Sequence, residues 1–99
     1  MKALLIDNVA VREIDIENTL KAFQEAVDGY IENVTLIPDK AAMIVNEEGR
    51  LRGMGLNLIA TALVGHIIVG PALIVGINEE KYTDIPEIVS EYVQSGGKL

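Results

Sequence analysis

The chain has 99 residues, 49% of them hydrophobic, and carries a net charge of −7 from 15 acids against 8 bases. That length suits one domain, and with one phenylalanine, three tyrosines and no tryptophan its core must be aliphatic. Direct nucleic-acid binding is not expected, since a phosphate backbone is drawn by clustered Lys and Arg, and the lack of cysteine excludes disulfides and thiolate chemistry.

Met1 to Asp7 lacks the long apolar region and small-residue cleavage site of a secretory signal, so a cytoplasmic setting is expected. Lys2 to Asp7 and Val11 to Ile16 are β-prone runs around Asn8-Val9-Ala10, which predicts a hairpin. Asn18 can cap a helix reaching Asp28, with Leu20, Phe23, Val27 and Tyr30 at helical spacing and Gly29 as its left-handed stop. Tyr30 to Ile37 then alternates as a strand, Glu32, Val34 and Leu36 against Asn33 and Thr35. Pro38-Asp39-Lys40 turns the chain into a strand over Ala41 to Val45. Asn46-Glu47-Glu48-Gly49 is a polar turn, after which Arg50-Leu51-Arg52 is expected to pair back briefly. A short helix is predicted from Leu56, with Leu56, Ile59, Ala60 and Leu63 on one face and Gly65 as its stop. Almost uncharged, it should be buried on most sides.

Gly65 to Ile77 is apolar on both faces of any strand drawn through it, which predicts central strands covered on both sides by a helix, a second sheet or a partner subunit. Gly70-Pro71 should divide the run into two short strands joined by a kink. The uncharged stretch from Gly53 to Ile77 is broken by glycines, Asn57 and that Gly-Pro pair into pieces too short to span a bilayer, so no membrane helix is expected. Asn78-Glu79-Glu80-Lys81 is an exposed connection. Thr83 to Glu87 reads as a helix start with a polar cap, and Ile85, Ile88, Val89, Tyr92 and Val93 as that helix's buried stripe. Ser95 to Leu99 should fray. The fold class is therefore α+β: a mixed, mainly antiparallel sheet of five or six strands, covered by two amphipathic helices plus one short buried helix.

Met1-Lys2-Ala3-Leu4-Leu5-Ile6-Asp7, Gly29-Tyr30-Ile31-Glu32, Val45 to Gly53 and Ile68 to Gly76, taken together, resemble one family over nearly the whole chain. It is the small domain-of-unknown-function family numbered thirty-eight forty-six, found in phages, plasmids and integrated elements of Gram-positive bacteria. Asn57 and Ala60 fall where its members carry asparagine and alanine, whereas Gly53-Met54-Gly55 stands where a proline is common. The resemblance implies a mobile-element setting, and so a protein that modulates host machinery, but no activity.

No nucleophile-base-acid set can be assembled, because His66 is the sole histidine and Thr61 the nearest hydroxyl, so His66 is expected to bond a backbone carbonyl. Glu47-Glu48 and Glu79-Glu80 lack metal-loop spacing and read as solvated turn charge; neither metal nor cofactor is expected. The candidate ligand-binding residues are Asn46, Arg50, Arg52, Gly53, Gly55 and Asn57, where amides before a helix and two arginines could hold a small anionic ligand. Tyr30 or Tyr82 would be available for stacking. The expected function is non-enzymatic: binding a host protein through acidic and apolar surface, with a homo-oligomer, as a dimer, formed over the central run. The alternative is a protein that binds or sequesters a nucleotide-type signal.

Overall fold

The computed structural model describes residues 1–96. In chain order the elements are β1 (Lys2–Ile6), β2 (Val11–Asp15), α1 (Leu20–Val27), β3 (Ile31–Ile37), β4 (Ala41–Asn46), α2 (Leu58–Val64), β5 (Ala72–Asn78), β6 (Lys81–Thr83) and α3 (Glu87–Gln94). The strands form one six-stranded sheet in the order β2-β1-β5-β4-β3, with β6 pairing to β5 past the end of β1. Every pairing is antiparallel. This is the expected α+β architecture without a parallel component.

The apolar run that ends in β5 is covered on both faces by the chain itself. On one face Phe23 and Val27 of α1 pack over Ala3, Ala42, Ile44, Leu73 and Val75. On the other, Ala60 of α2 and Val89 and Val93 of α3 join Ile68 and Ile85 over Leu4, Ile6, Met43, Val45 and Ile74. Strand β4 is buried at all six positions, and β5 at its first five. Each large aliphatic side chain taken fully out of water in this way stabilises the fold by about 1.5–3 kcal/mol.

The β1–β2 hairpin is present, with Ile6 opposite Val11. Its turn is fixed by the Asp7 carboxylate, which accepts from the Val9 and Ala10 amides at 2.9 and 3.0 Å. Those two bonds favour the ionised form and hold the Asp7 carboxyl below its usual range. Helix α1 begins one residue later than the expected cap. Thr19 accepts from the Ala22 amide, while the Asn18 side chain donates instead to the Tyr82 carbonyl. The helix also ends early, because Asp28 rather than Gly29 takes the left-handed conformation (φ 61°), which leaves Tyr30 outside it and exposed.

Four further expectations are corrected. Residues 66–69 do not form a strand: they run extended across α2, held by a single bridge between Leu56 and Val69 and by the Thr61 hydroxyl, which accepts from the Ile68 amide at 2.9 Å. Arg50-Leu51-Arg52 does not pair back, because Arg52 N–H bonds the Glu48 carbonyl and closes a helical turn. Helix α2 is not buried on most sides, since Ala60 is its only fully buried residue and Leu58 is 68% exposed. Helix α3 has no side-chain cap: Pro86 occupies that place, and the Asp84 carboxylate accepts from the Lys2 amide at 2.8 Å. Asn78 to Lys81 is exposed, as expected, and is a two-residue turn that returns the chain as β6. Of the frayed end expected over Ser95 to Leu99, Ser95 and Gly96 form a turn and Gly97 to Leu99 lie outside the described residues.

Candidate functional site

Antiparallel neighbours such as β4 and β5 can be joined by a hairpin, yet here residues 47–71 intervene. This excursion carries all six candidate ligand-binding residues except Asn46, which ends β4 beside it. Its first anchor is Asn46. The buried side-chain amide donates to the Val27 and Asp28 carbonyls, both at 3.0 Å, and its oxygen accepts from the Glu48 amide at 2.7 Å. Those bonds satisfy orphan carbonyls at the end of α1 and close the turn after β4. Arg52 reinforces the same helix end, donating to the Asp28 carbonyl and pairing with the Asp28 carboxylate at 3.2 Å. Gly29 makes room for both: a β-carbon there would lie 2.6 Å from the Asn46 amide nitrogen and 2.8 Å from the Arg52 guanidinium.

Asn57 is the second anchor and is wholly buried. Its oxygen caps α2 by accepting from the Ala60 amide at 3.1 Å, while its NH2 donates to the Ile6 carbonyl of β1 at 3.0 Å and to the Gly70 carbonyl at 2.9 Å. One side chain thus ties the helix start, the central sheet and the Gly70 kink together. Since neither Asn46 nor Asn57 keeps an uncommitted amide hydrogen, neither can donate to a base or ribose without breaking these bonds.

The remaining candidates separate. Gly53 and Gly55 are exposed, and the amide of Gly53 bonds the Arg50 carbonyl at 3.1 Å. Arg50, with Asn46 but without Arg52, lines a cleft of about 280 Å³ together with Glu32, Glu47, His66 and the apolar Val34, Val45 and Ile68. The six residues therefore do not converge on one anion cradle, and the cleft that Arg50 does line holds two carboxylates as well. His66 lacks the expected carbonyl partner: its ring is exposed and makes no hydrogen bond among the described residues. Tyr30 is exposed, its carbonyl accepting from the Glu47 amide at 2.8 Å next to Asn46, and Tyr82 is half-buried. The Tyr82 ring packs edge-on against Phe23 at 5.3 Å and its hydroxyl donates to the Asn33 side chain at 2.9 Å, while burial raises its pKa. Among the described residues no group of His, Asp or Glu side chains could hold a metal ion, and no helix is long and apolar enough to cross a membrane.

What the structure leaves open is apolar. Ile88 is 70% exposed, Tyr92 45% and Ile37 37%, and with Val89 they line a cleft of about 300 Å³ between α3 and the end of β3. Helical spacing puts Glu87 and Glu91 on the stripe next to Ile88 and Tyr92. Of the expected stripe, Ile85, Val89 and Val93 are buried, whereas Ile88 and Tyr92 are exposed. Ile85, however, precedes the helix in extended backbone, with its amide on the Lys2 carbonyl at 2.9 Å. Counted from Val89, the inward residues are Val89, Ser90 and Val93, and Ile88 and Tyr92 fall outside.

No curated protein and no solved structure matches the chain. A family model described as a domain of unknown function (DUF3846) matches residues 1–96, and the chain belongs to that family.

Proposed function

We propose that this protein is a non-enzymatic binding module that engages a segment of a host protein through the cleft between α3 and β3 and thereby modulates that host protein. The observation that carries the reading is the outward placement of Ile88 and Tyr92, two large apolar side chains the core does not use, on a helix whose neighbouring stripe is acidic. Burying such an aromatic–aliphatic pair in a partner's surface supplies the hydrophobic anchor of an interface. Glu87 and Glu91 add charge complementarity, so the occupant is an apolar anchor flanked by Lys or Arg. A mobile-element setting, implied by the family resemblance, makes a host cytoplasmic protein the expected source of that segment.

The test is affinity capture from a Gram-positive cytoplasmic extract on immobilised wild-type protein and on an Ile88→Lys, Tyr92→Ala variant, followed by calorimetry with the purified partner. The expected outcome is one stoichiometric partner held by the wild type, lost from the variant and bound more weakly as salt rises. Equal capture by both proteins, or no stoichiometric partner from several hosts, overturns the reading.

A further inference from the structure

The two edges of the sheet are not alike. Strand β2 carries Arg12, Glu13 and Asp15 within five residues, so a second copy laid against it would set Glu13 near its own counterpart. Strand β3 is longer, seven residues, and carries only Glu32. Its hydrogen-bonding demand can be read from the ladder. The Glu47 amide bonds the Tyr30 carbonyl at 2.8 Å, so in the alternation of an antiparallel pair Tyr30, Glu32 and Val34 turn their backbone groups toward β4. Ile31, Asn33 and Thr35 therefore present theirs outward, and no described strand pairs with them. Asn33 is held by the Tyr82 hydroxyl, which keeps this edge in place. Only the register shift between Thr35 and Ile37 interrupts it, at the far end. Natural edges are blunted by charges, especially lysine, and by early bulges; over Ile31 to Thr35 β3 has no lysine and no bulge, and Glu32 is its one charge.

We propose that β3 is a self-association edge, on which β3 of a second copy adds antiparallel about a two-fold axis at Val34, making one continuous sheet through both copies. In that register Asn33 exchanges backbone hydrogen bonds with Thr35 of the other copy, twice by symmetry, and the half-buried Val34 side chains meet at the axis. The lone charge is accommodated too, because Glu32 falls opposite Leu36 of the other copy and not opposite a second acid. This surface meets the Ile88 and Tyr92 cleft only at Ile37, the last residue of β3, and does not depend on Ile88 or Tyr92.

Sedimentation equilibrium up to about 200 µM, where a dimer with a dissociation constant of tens of micromolar is largely formed, should give twice the 10.7 kDa chain mass. Thr35→Lys puts a charge on an exposed edge position, and Thr35→Pro removes an outward donor. Each should weaken the dimer at least tenfold while the far-ultraviolet circular dichroism stays that of the wild type. Ile88→Lys and Glu13→Ala should leave the dimer intact. A monomer throughout that range overturns the proposal and leaves the edge to a strand from another protein. A dimer unaffected by Thr35→Lys, or abolished by Ile88→Lys alone, overturns it as well, and because Thr35→Lys acts at an exposed side chain, failure of the proline variant to fold does not blunt the test.

Discussion

Asn46 and Asn57 illustrate how little room this fold leaves its buried polar groups: each makes three hydrogen bonds, and no buried side-chain polar atom among the described residues lacks a partner. An asparagine can serve a ligand or a backbone with the same atoms, and residue type alone does not say which. Only the tertiary positions of Val27, Ile6 and Gly70 decide it, and those lie 13 to 51 residues away in sequence. The glycines tell a similar story. Gly53 has φ +68° and open space around it, so a β-carbon there costs backbone strain and nothing else. Gly76 sits in β5, where a β-carbon would lie 2.1 Å from the Asp84 carbonyl oxygen, a backbone atom that cannot swing aside. Gly76→Ala should therefore destabilise the protein by about 3 kcal/mol or more, at or above the upper end for overpacked sites, and Gly53→Ala by only about 1 kcal/mol. Urea unfolding monitored by circular dichroism measures both. Equal midpoints for the two variants would mean that β6 moves freely enough to absorb the clash.

Elements whose pattern is local were legible. The alternation of β3 and the hairpin of β1 and β2 follow from period-two reasoning, since side chains of a strand must point to one face or the other, and the two-sided burial of β5 follows from its unbroken apolar run. The helices on the second face are legible in part: Ile59, Ala60 and Leu63 of α2, and Ile85, Val89 and Val93 at α3, pack on the core as expected, whereas Leu56, Ile88 and Tyr92 are exposed. The Gly65–Val69 half of the apolar run misled for a separate reason: an apolar stretch implies cover, and α2 with the Thr61 and Asn57 bonds covers Ile68 without a ladder. The turn joining β5 to β6 shows strain instead. Its two central residues, Glu79 and Glu80, have φ of 52° and 65°, a region that suits Asn and Gly and costs other residues roughly 1–2 kcal/mol each. Glu79→Asn with Glu80→Gly should raise stability by about 1 kcal/mol or more and lift the melting temperature by several degrees. An unchanged or lower melting temperature in scanning calorimetry would show that the glutamates make compensating interactions in this turn.

At the scale of the whole molecule the packing divides into a tight centre and an appended excursion, and their cooperativity should differ. Strands β4 and β5 are flanked by strands on both edges and by side-chain layers on both faces, so nothing short of global unfolding frees their amides. Residues 47–71 contribute few fully buried apolar side chains, chiefly Ala60 and Ile68, while leaving Leu51, Leu56, Leu58 and Ile67 exposed. What holds them is polar: the Asn57 bonds to Ile6 and Gly70, the Thr61 bond to Ile68, and the Gly70 amide on the Gly55 carbonyl at 2.8 Å. Each is worth about 1 kcal/mol net, well short of a global stability of about 5–15 kcal/mol. Hydrogen exchange under increasing urea should therefore show the amides of α2 and of residues 66–70 opening below the free energy that Met43, Ile44, Leu73 and Ile74 report. Asn57→Ala should widen the gap, since it removes the cap of α2 and the tie to β1 together and leaves two carbonyls to find water. If the α2 amides exchange at the same free energy as β4 and β5 in the wild type, the excursion is part of the central cooperative unit, and its hydrogen bonds stabilise more than their number suggests.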